Sequence, residues 1–366
     1  MRSADFAERI NRVAKAISVK GHDFIFITPG ADLRYLTGYD ALPLERLTCL
    51  AVNSSGESWL IVPTLEKPSA LAHGISDMGI ALIDWQETEN PYELLIAATG
   101  KVSNPLINNL MWAEKAFGIR DAVGSEVGLA GKVLSDIRAV KTAAEVASLH
   151  EAGAAIDLVH NQIHNWLRPG RTEREVGRDI AEAILAVGHA TVDFVIVGSG
   201  PNGASPHHEL SDRTILAGEP VVIDIGGTMP TGYCSDSTRT YACGSVPTEY
   251  QEFYNILQSA QAAACAHAKP GVTCESIDRA ARSVLEAGGL GDQFIHRTGH
   301  GIGMETHEEP YIVEGNETLL VPGHAFSIEP GFYFADKYGA RIEDIVTCTD
   351  TGIASANQST RDLVIL

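Results

Sequence analysis

Apolar residues fall in short blocks whose period changes along the chain. The opening MRSADFAERINRVAKAI sets apolar side chains on one face and charges on the other, which predicts an amphipathic helix. Residues 24–28 (FIFIT) then read as a strand, followed by a Pro29-Gly30 turn, a short helix ADLRYL and a stop at Gly38. The runs LTCLAV and SWLIV flank Asn53-Ser54-Ser55-Gly56, which has the chemistry of a hairpin turn. Strands alternating with helices predict a small α/β domain over residues 1–134. Thr142 and Glu145 have the spacing of a capping box and open a helical pattern that runs to about Leu167. The domain boundary falls just before that helix, leaving 135–366 as a second domain.

The second domain contains an internal repeat. Pro169-Gly170-x-Thr172-x-x-x-Val176 recurs at an offset of 101 residues as Pro270-Gly271-x-Thr273-x-x-x-Ile277. Each copy continues as a helical pattern to a glycine, Gly188 or Gly289, and then into a strand-like run, DFVIV (193–197) or QFIH (293–296). Copies of this length are too long for a solenoid and predict a duplicated α+β half-domain with pseudo-twofold symmetry. The duplication puts a histidine-bearing, glycine-rich segment after each copy.

Composition narrows the function. At 366 residues, with 45% hydrophobic and 20% charged side chains, the chain can bury a sizeable core in two domains. The 27 Lys and Arg against 47 Asp and Glu leave a net charge of −20, which repels phosphate backbones and anionic lipid. Nucleic acid and membrane are therefore not expected partners. Cys49, Cys234, Cys243, Cys265, Cys274 and Cys348 show no CxxC spacing and are expected to be free thiols. The charged opening is not a secretory signal and no apolar run spans a bilayer, so a cytoplasmic protein is expected.

The chemistry concentrates in three segments. In VVIDIGGTMPTGYCSDSTRTY (221–241) a hairpin centred near Pro230 would make Asp224 and Asp236 cross-strand partners. In AFSIEPGFYFADKYGARIEDIV (325–346) a turn at Ala335-Asp336-Lys337 would do the same for Glu329 and Glu343. Like charges facing each other in apolar strands destabilise a sheet unless cations lie between them. Four such carboxylates with a nearby imidazole suit divalent metals such as Mn²⁺, Co²⁺ or Zn²⁺. The imidazoles come from His296, His300 and His307, set among Gly299, Gly301 and Gly303, and from His207 and His208 after the first repeat. Gly198-x-Gly200-x-x-Gly203 follows a strand and mimics a dinucleotide fingerprint. Pro201, Asn202 and Pro206 prevent the helix that such a site needs, so NAD or FAD is not expected.

With VIDIGG, GYCSDSTRT, GHGIGMETHE, SIEPGFYF and ARIED in this order, and ADLRYLTGY ahead of them, the sequence resembles the pita-bread metallopeptidases, the family of methionine aminopeptidase, aminopeptidase P and prolidase. The resemblance covers nearly the whole chain. It implies an α+β fold in which a duplicated pita-bread catalytic domain follows a smaller creatinase-like α/β domain, as in aminopeptidase P and prolidase. By position it implies Asp224, Asp236, His300, Glu329 and Glu343 as ligands of two divalent ions, Mn²⁺ before Co²⁺ or Zn²⁺. It implies substrate-binding and proton-handling roles for His207, His296 and His307, and an arginine beside the last ligand at Arg341. The homodimer is likewise implied by the resemblance.

The activity so implied is hydrolysis of the Xaa-Pro bond in short proline-containing peptides, as a dipeptidase or an aminopeptidase. Glu329 would move the proton, with His307 and His207 steadying the oxyanion. A metal-free creatinase-like C–N hydrolase and a non-catalytic peptide-binding protein are the alternatives on this fold, and the complete ligand set speaks against both. Two departures from the family pattern stand out. Asp224 and Asp236 are one residue further apart than in many relatives, and Tyr311 and Ile312 occupy the region where some prolidases carry an arginine that grips the terminal carboxylate.

Overall fold

The computed structural model describes residues 3–366. The chain forms two compact units, one ending at Arg138 and the other spanning Ala139–Leu366. No helix among the described residues is long and apolar enough to cross a membrane.

In the first unit the strands β1 (Phe24–Ile27), β2 (Cys49–Asn53), β3 (Ser58–Pro63), β4 (Ala81–Trp85), β5 (Pro105–Ile107) and β6 (Gly128–Leu129) form one mixed sheet in the order β4-β3-β2-β1-β5-β6. Helices α1 (Ser3–Val19), α2 (Ala31–Thr37), α3 (Lys67–Ala72), α4 (Pro91–Thr99), α5 (Ala113–Val123) and α6 (Gly131–Ala139) complete it. The expected hairpin is present: Cys49 pairs with Ile61, and the Asn53 side-chain oxygen accepts from the Ser55 and Glu57 amides across the turn. Gly38 ends α2 at φ 69, where a Cβ would also strike the Phe6 ring.

The second unit is built twice from the same parts. Helix α7 (Ala143–His160) opens with the predicted capping box between Thr142 and Glu145 but ends at His160, short of Leu167. A separate 3₁₀ turn at Ile163–Asn165 follows it. Helix α8 (Glu173–Ala186) is capped by Thr172, whose hydroxyl accepts from the Glu175 amide; α9 is Thr248–His267; and α10 (Cys274–Ala287) is capped by Thr273 onto the Ser276 amide. The entry turns match bond for bond. Gly170 N donates to Ile215 O and Glu173 N to Arg213 O, as Gly271 N donates to Leu320 O and Cys274 N to Thr318 O.

After α8 come β7 (Thr191–Ser199), β8 (Pro220–Thr228) and β9 (Cys234–Ala242), a continuous antiparallel ribbon. After α10 come β10 (Gly299–Gly301), β11 (Glu308–Ile312), β12 (Ala325–Ile328), β13 (Gly331–Phe334), β14 (Tyr338–Arg341) and β15 (Asp344–Cys348). Strand β16 (Ile353–Ser355) extends the second sheet, ordered β11-β10-β12-β15-β16, and β17 (Val364–Ile365) pairs with β9 in the first. Each half has its own core. Val176, Ile180 and Ile184 of α8 pack with Ile223 and Ile225, while Ile277, Ala281 and Leu285 of α10 pack with Phe326 and Ile328. Burying each isoleucine contributes about 1.5–3 kcal/mol.

One expectation fails here. QFIH (293–296) is not a strand: Gly291–Gln293 is a 3₁₀ turn and the segment stays irregular until Gly299. Its backbone groups are taken by side chains of α10 instead of a ladder. Arg282 donates to the carbonyls of Phe294 and His296, and Asp278 accepts from the Thr298 amide and hydroxyl. The glycine motif after β7 forms only a five-residue 3₁₀ turn, Gly200–Ala204, with no α-helix to meet a pyrophosphate.

Candidate active site

Regular alternation along β8 and β9 buries Asp224 and Asp236 on one face. Their register differs from the expected one: Asp224 lies opposite Thr238, and Asp236 opposite Gly226, so the hairpin centres one residue beyond Pro230. The cause is the loop, where Met229 N donates to Tyr233 O and Gly232 N to Met229 O. A slip of two partners preserves side-chain parity, so the carboxylates are diagonal neighbours on the same face and not direct partners. Glu329 and Glu343 follow the expected register. The pairing of Ile328 with Asp344 and of Gly331 with Arg341 brackets them, around a turn at Asp336 with φ 60. Both glutamates sit where the ladder is interrupted, and their amides donate to Thr298 O and Thr238 O respectively.

His300 reaches the same point from β10. A Cβ at Gly299 would collide with the Ser327 carbonyl oxygen and one at Gly301 with the Glu309 carbonyl, so only glycine lets this strand pass between its neighbours. His300 Nδ1 donates to the Gly301 carbonyl at 3.1 Å, which turns Nε2 to the carboxylates. Nε2 lies 3.1 Å from Glu329 Oε1, 3.7 Å from Asp236 Oδ2 and 4.0 Å from Glu343 Oε1.

Three of the four carboxylates are tied through one oxygen. Asp224 Oδ2 accepts from Arg341, Glu343 Oε2 from the Thr238 hydroxyl at 2.8 Å, and Glu329 Oε1 from the Ser327 hydroxyl at 3.0 Å. The other oxygens, Asp224 Oδ1, Asp236 Oδ1 and Glu343 Oε1, are buried without any hydrogen-bond partner. Burial raises Asp236 and Glu343 well above the usual carboxylate range, and the neighbouring carboxylates add to it. Asp224 is raised less, because Arg341 partly offsets its burial. Glu329 moves the other way: burial pushes it up, but the His300 hydrogen bond and the charges of His300, His296 and Arg341 bring it to about 2. Buried carboxylate oxygens without partners on Asp224, Asp236 and Glu343, beside an imidazole in the same cavity, fit hard divalent cations. Donor atoms of Asp236, His300 and Glu343 all lie within 4.8 Å of one another.

Nine of the side chains named from the sequence (Asp224, Asp236, His300, Glu329, Glu343, His207, His296, His307 and Arg341) line one cavity of about 600 Å³, and His208 does not. Phe194 and Ile196 of β7 give it an apolar wall. His307 stacks edge-on to His300, with ring centroids 4.1 Å apart. Burial, then the charges of His300 and Arg297, lowers its pKa to about 4, so it is neutral at pH 7. His296 is also lowered to about 4 by burial. Both of its nitrogens are engaged, Nδ1 with the Arg297 carbonyl and Nε2 with the Tyr333 hydroxyl. His208 is bound to Glu173 at 2.7 Å.

Sequence reading missed the residues that hold this set. Tyr333 links Arg341, which donates to its oxygen at 2.7 Å, to His296 at 2.9 Å. Thr238 serves both Arg341 and Glu343. Arg239 donates to the Glu343 carbonyl and pairs with buried Asp344. As isolated residues in strands, Tyr333 and Arg239 carry no sequence signal of their own. The alternation that places Asp236 and Thr238 on one face was available and would have found Thr238.

Such a cradle in a duplicated α+β unit defines a metallopeptidase on the pita-bread fold. The model of metallopeptidase family M24 matches residues 147–350, and that of the creatinase/prolidase N-terminal domain residues 9–111. The chain belongs to metallopeptidase family M24 and is a peptidase. It is 47% identical over 362 residues to the probable dipeptidase PepE of Mycobacterium tuberculosis, covering 99% of this chain and 96% of that one. The Xaa-Pro dipeptidase of Lactobacillus delbrueckii subsp. lactis is 33% identical, with 98% of each chain covered. The crystal structure of dipeptidase PepE from Mycobacterium ulcerans superposes with a TM-score of 0.95 at 48% identity, over 100% of this chain and 99% of that one.

Proposed function

We propose that this chain hydrolyses the bond preceding proline in short peptides, as an Xaa-Pro dipeptidase or aminopeptidase, using two divalent ions held by Asp224, Asp236, His300, Glu329 and Glu343. The observation that supports this reading is the set of three buried carboxylates, Asp224, Asp236 and Glu343, each with one oxygen without a partner, of which Asp236 and Glu343 have donor atoms within 4.8 Å of one another and of a His300 nitrogen. That set favours the metal-dependent reading over a metal-free hydrolase, because, among the described residues, Arg341 is the one buried cation paired with any of the four acidic residues, and it pairs with Asp224. Similarity to an Xaa-Pro dipeptidase supports the choice of bond.

Divalent ions held by these residues would supply a Lewis acid and would make the attacking water more acidic. The protein's own part is orientation and proton handling. Arg341, Thr238 and Ser327 fix one oxygen of Asp224, Glu343 and Glu329 respectively. Glu329, kept ionised by its surroundings, accepts the proton of the attacking water and passes it to the leaving proline nitrogen. Neutral His307, together with His207, donates to the developing oxyanion. His296, with both nitrogens occupied, presents its ring to the substrate. A tertiary amide nitrogen has no hydrogen to donate, so the proline ring needs shape and apolar surface, which Phe194 and Ile196 supply.

The test compares Ala-Pro, Ala-Pro-Ala and Ala-Leu as substrates after chelation and after Mn²⁺ or Co²⁺ is restored. Activity lost on chelation, regained with metal and confined to the proline peptides is expected. Metal-independent turnover, or equal cleavage of Ala-Leu, overturns the reading.

A further inference from the structure

Two features of the first half lie outside the cavity: Glu173, the buried acid that opens α8, and the glycine-rich turn Gly200–Ala204. Both act on the same stretch of chain. Glu173 Oε1 accepts from the Ser199 amide at 2.8 Å and its hydroxyl at 2.7 Å. Oε2 accepts from His208 Nε2 at 2.7 Å and the Ser211 hydroxyl at 2.5 Å, and the Asn202 side-chain amide spans both oxygens. Burial pushes this carboxyl up, but the hydrogen bonds from Ser211, Ser199 and His208 hold it below its ordinary value. A buried acid so fully satisfied is a rigid anchor.

All of these donors belong to residues 199–211, the segment that carries His207 to the cavity. The far end of the segment is tied to the same helix, since Arg174 N donates to Ser211 O and Glu173 N to Arg213 O. Its other support comes from the second half. A Cβ at Gly339 of β14 would collide with the Gly203 carbonyl oxygen, and one at Gly203 would press on the Gly198 carbonyl. The glycines that mimic a dinucleotide fingerprint therefore serve close backbone packing, laying the turn against β14 beside Arg341. Arg341 donates to Pro206 O at 3.3 Å. Between these anchors, Pro206 and His207 line the cavity. The second half has its own version, one turn further into its helix: buried Asp278 accepts from the Thr298 amide at 3.0 Å and hydroxyl at 2.8 Å, midway between His296 and His300.

We propose that Glu173 is a positioning residue for the hydrolysis: from outside the cavity it fixes residues 199–211 and so sets His207 against the developing oxyanion. This rests on the part given to His207 in the proposed mechanism. Glu173 reaches the reaction only through the segment it holds. Gln in its place keeps the volume but exchanges an acceptor oxygen for an NH2 group, which faces donors and cannot accept from them. A displacement of about 1 Å in a group that must meet the transition state can cost about 100-fold.

The experiment compares kcat and KM of the metal-loaded wild type, Glu173→Gln, His207→Ala and the double variant, on whichever of Ala-Pro and Ala-Leu the wild type cleaves. Circular dichroism and bound-metal content are measured alongside. Glu173→Gln is expected to lower kcat roughly 10- to 100-fold, with KM changed far less and metal content unchanged. In the His207→Ala background the same substitution should cost no more than about threefold, because the group it positions is gone. Ser211→Ala loosens the anchor more mildly and should give a smaller loss with the same dependence on His207; it decides the matter if Glu173→Gln does not fold. Losses that multiply in the double variant, a loss of bound metal, or an undiminished kcat overturn the proposal. If His207→Ala alone leaves kcat unchanged, the oxyanion role of His207 and this proposal fall together, and the metal-dependent reading stands. Cleavage of Ala-Leu in place of Ala-Pro removes the proline reading alone. A protein that cleaves neither peptide overturns both.

Discussion

The two halves of the catalytic unit share a scaffold and divide the chemistry. Thr172 and Thr273 cap matching helices, and Gly170 and Gly271 make matching turns. Beyond those helices the halves diverge. The first runs β8 and β9 as nine-residue strands and places Asp224 and Asp236 within an unbroken ladder. The second breaks its strands at Glu329 and Glu343 and adds His300 on a strand flanked by glycines. A duplicated frame thus holds acids two ways. One half fixes them rigidly by pairing. The other frees them from the ladder, and the Glu343 amide bonds across to Thr238 of the first half. Arg341 crosses the same seam to Asp224. The cavity is therefore made by the halves together, and changes on either side of the seam should be felt at both.

The largest effect is expected from removing one proposed ligand on each side. Asp236→Ala and Glu343→Ala should each lower kcat/KM by roughly a thousandfold, since each forfeits several kcal/mol of metal-borne stabilisation. Circular dichroism should show both variants folded. Retained turnover in either would show that its half contributes scaffold alone. Arg341→Met comes next. It leaves Asp224 without its partner across the seam and should cost about 10- to 100-fold in activity or metal affinity.

A pH effect of intermediate size should appear in both halves. His160 in the first is pushed down to about 3 and His296 in the second to about 4, each mainly by burial. Above the unfolded value of about 6.5 neither state binds the proton. As pH falls from there to about 4 the unfolded chain takes protons that the fold refuses, so stability falls across that window. Thermal unfolding at pH 7, 5.5 and 4.5 should show the decline, and His296→Gln should flatten it. The smallest effect belongs to the shared frame: Thr172→Ala and Thr273→Ala should each cost about 1 kcal/mol and leave kcat within twofold. Very unequal costs would break the equivalence of the halves.

Much of this was legible because it was local. Capping threonines, the turn around Asp336 and the alternation in β8 and β9 are written in short segments. The second hairpin could be registered from its turn, whereas the first slipped by two partners because its longer loop, Met229–Tyr233, forms hydrogen bonds of its own. Parity rescued the site even so. QFIH has strand-like composition, but Arg282 and Asp278 claim its backbone from a distant helix, which no local pattern reveals. Tyr333 and Arg239 were silent for the same reason, since their roles arise only when separate strands are brought side by side.

Whether the seam is a two-ion cradle is tested most directly by the metal content of the chain. Protein stripped with chelator, loaded with Mn²⁺ and freed of excess should retain two ions per chain, with fewer in Glu343→Ala and in Asp236→Ala. A wild type that retains none, or variants that keep the full complement, would mean that these carboxylates are held together by something other than metal.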